Sequence, residues 1–119
     1  GSYLHVGDMV LCPSNICSES YPLALRTNGL WEILGHEAIQ IDKGEITMIA
    51  GYGPSNDPAY VVRQGQQDTL YIGNAPYAHE SEITNIFCQE PLRSIAYSFK
   101  FNGQAYLRYL DIQLGPLIA

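Results

Sequence analysis

Apolar and polar side chains alternate along most of this chain, and a period of two is the signature of strands with one face in and one face out. The alternation runs through Ala38–Asp42, Glu45–Ile49, Ala59–Arg63, Asp68–Ile72, Ile95–Phe101 and Tyr106–Leu114. Breaks fall at Lys43-Gly44, at Gly51–Pro58 and at Gly73–Pro76. Between the last two runs sits Asn102-Gly103, a dipeptide suited to a two-residue hairpin because both central positions of a type I′ turn need positive φ. Turn chemistry thus recurs roughly every 10 residues, the rhythm of a sandwich or barrel. Residues 19–27 read as one helical turn, and Pro22 with Asn28-Gly29 argues against a longer helix. The expected class is all-β.

Composition narrows what such a fold can do. With 46% hydrophobic residues and 15% charged ones, the chain has the apolar content for one core and not the profile of a disordered tail. Gly1-Ser2 reads as the scar of a cleaved tag, which leaves 3–119 as a single domain. No apolar run reaches the roughly 18–20 residues of a membrane helix. Six basic residues against twelve acidic ones, for a net charge of −6, argue against a nucleic-acid groove. Cysteines at 12, 17 and 88 allow one internal disulfide at most: Cys12 with Cys17, or either of them with Cys88. His5, His36 and His79 are scattered and no paired Cys-x-x-Cys occurs, so zinc is not expected. There is no Asn-x-Ser/Thr sequon, no Gly-x-Ser-x-Gly elbow and no phosphate-cradling glycine loop. Glu32, Glu37, Glu80 and Glu82 could form a hydrolytic carboxylate pair, but they read first as solvated strand faces and loop tips.

Two stretches together resemble the cupin family. In Leu30–Ile49, Glu37 and Gly44 keep the spacing of the first cupin motif, a Glu before a strand that ends at a turn glycine. In Tyr60–His79, an acidic turn, a short apolar strand and a Pro/Gly loop lead to a His, as in the second motif. The likeness covers residues 30–85 and implies a cupin-like jelly-roll β-sandwich with a pocket at the barrel mouth beside Trp31, Glu37, Tyr71 and His79. Two metal-ligating histidines of the family align near Trp31 and Ile33, which ligate nothing, and the family's Asn is displaced to Asn85. Glu37 and His79 alone are too few for tight binding of a divalent ion. No metal, cofactor or catalytic residue is therefore expected. The alternative is a carbohydrate-binding module or a residual cupin-type enzyme using the barrel mouth, since tyrosines spread over the strands could stack on sugars.

Lys100, one residue before the Asn102-Gly103 turn, and Arg108 on the following strand read as a basic spot on an acidic protein, the expected partner-recognition surface. A cupin-like core stripped of its ligands, on a short acidic chain with few cysteines, is similar to small secreted effectors of plant-pathogenic fungi, among them the cupin-like avirulence effectors of wheat stem rust. That likeness implies secretion, translocation into the host cytoplasm, action by protein–protein contact, and a host protein or an intracellular plant immune receptor as partner.

Overall fold

The computed structural model describes residues 9–13, 22–34, 39–42, 44–52, 57–89, 94–111 and 115–117. These residues form eleven strands in three antiparallel sheets. The first sheet contains β1 (Met9–Leu11), β2 (Leu23–Thr27), β3 (Leu30–Leu34) and β4 (Ile39–Ile41). The second contains β5 (Glu45–Tyr52), β6 (Asp57–Gln64), β7 (Gln67–Ile72) and β8 (Ala75–Glu80); the third contains β9 (Glu82–Gln89), β10 (Ser94–Phe101) and β11 (Gln104–Asp111). All-β is thus observed, in the manner of a β-sandwich. The strand order differs from that of a jelly roll, which is two sheets woven from Greek keys. Here each described strand bonds to its neighbours in the chain, giving three meanders among the described residues.

Short turns set that order. Asn28-Gly29 joins β2 to β3 and Asn102-Gly103 joins β10 to β11, with φ of 52° and 83° in one and 51° and 78° in the other. Those are the paired positive values of a type I′ turn, whose twist matches the strands it joins. Residues 23–27 are therefore strand, not the helical turn expected from the sequence, because Asn28-Gly29 folds them back on β3.

The second sheet is the middle layer. On β6, Tyr60 and Val62 face a core with Ala24, Trp31, Ile33 and Ile39 of the first sheet; Ala59 and Val61 face another with Ile83, Ile95, Tyr97 and Phe99 of the third. A strand buried on both faces must be apolar at successive positions. β5 serves both cores through a bulge at Thr47: the register slips between Ile46 and Met48, so Ile46 and Ile49 both reach the first core.

Two devices fix how the layers meet. At the entry to the second sheet, Gly44 has φ of 93°, and a Cβ there would lie 2.7 Å from the Arg63 carbonyl oxygen. Glycine alone fits both the backbone angle and the gap. At the exit, the chain bends at Ser81 from β8 into β9. Asp68, 0% exposed, pins this corner: Arg63 Nε and Nη2 donate to its oxygens at 2.8 and 2.9 Å, and the Ile83 N–H donates at 2.8 Å. The carboxylate in turn raises the Arg63 pKa by hydrogen bonding.

Candidate functional site

The barrel-mouth pocket expected from the cupin likeness is not assembled by the described residues. Trp31 and Ile33 are 0% exposed and fill the first core. The Trp31 indole N–H donates to Glu45 Oε2 at 2.7 Å, and Arg26 approaches both the ring and that carboxylate. A ring so enclosed has no face left for a ligand. Tyr71 is half-buried against the same core and stacks on Tyr60, with centroids 5.3 Å apart and planes 8° from parallel. The Tyr60 hydroxyl donates to the Gly73 carbonyl oxygen at 2.7 Å, and burial, then the neighbouring Tyr71, pushes its pKa up. His79 is exposed on β8, its Nδ1 2.9 Å from Thr69 Oγ1 on the paired strand. Glu37 lies outside the described residues, as does His36.

Lys100 and Arg108 do not form one basic spot. The two-residue turn pairs Phe101 with Gln104, Lys100 with Ala105 and Tyr97 with Arg108. Paired residues share a face and successive residues alternate, so Arg108 lies on the inner face with Tyr97 and Phe99 while Lys100 lies on the outer one. Arg108 is engaged there: its Nη1 donates to Glu80 Oε2 at 2.6 Å, and its guanidinium sits 4.9 Å from the centre of the Phe99 ring. The Tyr97 hydroxyl donates to the same Glu80 oxygen at 2.5 Å. Burial, then this bond to Glu80, pushes the Tyr97 pKa up to about 12. Arg108 thus holds β11 against the corner of β8. Lys100 is exposed, paired across the sheet with Glu82, and borders an open depression of about 500 Å³ shared with Arg63, Gln66 and Asn102.

Beside Lys100 and Glu82, the outer face of this last meander carries large apolar side chains. Phe87, Ala96 and Tyr109 form one row across β9, β10 and β11, and Leu107 pairs with Ser98 in the next. Phe87 is 40%, Leu107 53% and Tyr109 66% exposed. Singly exposed apolar residues are ordinary; a group of large ones on one sheet face is less so. This group did not emerge from the sequence, where residues 82–89 showed no clean alternation. A bulge explains why: Ser98 pairs with Asn85 and Phe99 with Ile83, so Thr84 is the extra residue that breaks the period.

A second concavity, of about 390 Å³, lies where the edges of β1, β5 and β9 converge, lined in part by Leu11, Thr47, Met48 and Asn85. Its described lining carries no acid, base or cation. Cys12 borders it and is disulfide-bonded, whereas Cys88 is a half-buried thiol on β9; Cys17 lies outside the described residues. Among the described residues no three His, Cys, Asp or Glu side chains gather as a metal site. Comparison with known proteins finds no matching family model, no matching curated protein and no matching solved structure.

Proposed function

We propose that this chain is a non-enzymatic interaction domain, of the kind secreted as effectors by plant pathogens, that acts by protein–protein contact through the outer face of β9–β11. The single observation that carries the reading is the group of exposed Phe87, Leu107 and Tyr109 on one sheet face, with Lys100 near the hairpin end of the same face. Interface cores favour aromatic anchors with few charges, and rims favour polar and charged groups. The effector setting, with a host protein or immune receptor as the partner and delivery to the host cytoplasm, rests on the overall likeness of a short acidic chain with few cysteines to such secreted proteins. The alternative of a carbohydrate site at the barrel mouth loses its support with Trp31 and Ile33 enclosed.

The test is retention of leaf-extract proteins on the immobilised domain, quantified against a Phe87→Lys/Tyr109→Lys variant and against Lys100→Glu. Loss of the same retained proteins from the double variant, at an unchanged melting temperature, is the expected result. Equal retention by wild type and both variants would remove this face as the working surface.

A further inference from the structure

Sheets end in strands whose outward N–H and C=O groups invite another chain, and natural proteins guard such edges with short strands, bulges, proline or charge. Among the described residues, five of the six edge strands are short, bulged or interrupted by proline. β1 and β4 are three residues each; β5 and β9 are bulged at Thr47 and Thr84; β8 contains Pro76 and a register slip beside Tyr71. β11 is none of these. It runs eight residues, Gln104–Asp111, in unbroken register with β10, without proline, glycine, lysine or bulge, and all but Leu110 are exposed. Its internal charge, Arg108, is turned inward to Glu80.

From this we infer that β11 is a homodimerisation edge, pairing antiparallel with β11 of a second copy to form a continuous six-stranded sheet. The register follows from the hairpin. In a two-residue hairpin the residues flanking the turn, Phe101 and Gln104, bond to each other, so Gln104, Tyr106, Arg108 and Leu110 spend their backbone groups on β10. Ala105, Leu107 and Tyr109 therefore direct theirs outward. A two-fold axis normal to the sheet keeps both outer faces on one side, which restricts pairing to partners of like parity. Centred on Leu107, it sets Leu107 against Leu107, Ala105 against Tyr109, and the Arg108 cation against the Tyr106 ring on the inner face. Centred on Arg108 it would set two guanidinia opposite each other, an unfavourable pair. The sequence is thus complementary to itself in the first register, and that complementarity selects a second copy as the occupant. Each copy has a net charge of −6, so salt strengthens the association by screening the repulsion between copies.

This inference deepens the proposed function, because the paired sheet doubles the outer face that carries Phe87, Leu107 and Tyr109. Sedimentation equilibrium of the purified protein tests it, together with bismaleimide cross-linking of single-cysteine substitutions in a Cys88→Ser background. A monomer–dimer equilibrium is expected at concentrations up to about 100 µM, tightening with added salt, with the dissociation constant raised at least about tenfold by Leu107→Lys at unchanged melting temperature. Leu107→Cys should cross-link faster than Arg108→Cys. A wild type that stays monomeric, a dimer indifferent to Leu107→Lys, or faster linking through position 108 would each overturn the proposal. Leaf-protein retention lost in Phe87→Lys/Tyr109→Lys but present in a monomeric wild type would remove the dimer and leave the proposed function standing.

Discussion

Removing Asp68 should do opposite things depending on whether Arg63 is present. In the wild type, Asp68→Ala strands the Ile83 N–H at a buried corner, a loss of about 1–3 kcal/mol for an unsatisfied donor. The Arg63 side chain is 43% exposed, so its guanidinium returns to water and adds at most about 1 kcal/mol. Together these give about 1–4 kcal/mol, or roughly 3–20 °C in melting temperature for a chain of this size. Arg63→Ala should be worse, at about 3–5 kcal/mol, because it leaves a fully enclosed carboxylate with one N–H donor and no cation. Adding Asp68→Ala to Arg63→Ala then removes the orphaned charge, and the double variant should be no less stable than Arg63→Ala alone. Urea unfolding followed by emission of the single, buried Trp31 reads all four proteins. Losses that simply add, to within about 0.5 kcal/mol, would refute the view that the carboxylate and the guanidinium form one unit at this corner.

Gly44→Ala is expected to lower stability by more than about 2 kcal/mol, since a methyl group there meets the Arg63 carbonyl at 2.7 Å in a backbone conformation of positive φ; thermal unfolding by circular dichroism checks it. Trp31→Ala should cost about 3–5 kcal/mol while Tyr109→Ala stays within about 0.5, and urea midpoints would separate a core ring from a surface one. Tyr97 ionises well above the ordinary tyrosine value of 10, so from pH 10 towards 12 the unfolded chain releases a proton that the folded chain keeps. Stability present below pH 10 is therefore lost as pH rises through that window, Tyr60 adds in the same direction, and Tyr97→Phe should flatten the loss. Phenolate absorbance during alkaline titration follows both events.

Much of the fold was legible wherever turn chemistry was strong. Asn102-Gly103 forms the hairpin its sequence demands, and its pairing of Phe101 with Gln104 already implied that Arg108 shares a face with Tyr97, not with Lys100. Asn28-Gly29 held the same information about β2 and β3, but with Pro22 it counted there only against a helix longer than one turn, not for a hairpin. The three-layer stack was present in Ala59-Tyr60-Val61-Val62, where four apolar residues in succession signal burial on both faces, not alternation. β9 was hidden because the bulge at Thr84 shifts the phase of its side chains, and a period search fails across a phase shift. Trp31 was read as a ligand platform because aromatic residues serve cores and surfaces alike; only the pairing of β3 between β2 and β4 commits it to the interior.

Hydroxyl-radical footprinting in leaf extract reads the outer face of β9–β11 side chain by side chain. Oxidation of Phe87, Leu107 and Tyr109 is expected to fall when the extract is added, while Met9 and Leu34, exposed on the first sheet, oxidise as before. Undiminished oxidation of those three residues, or protection confined to Met9, Leu34 or the cleft beside Leu11 and Met48, would contradict the proposed function.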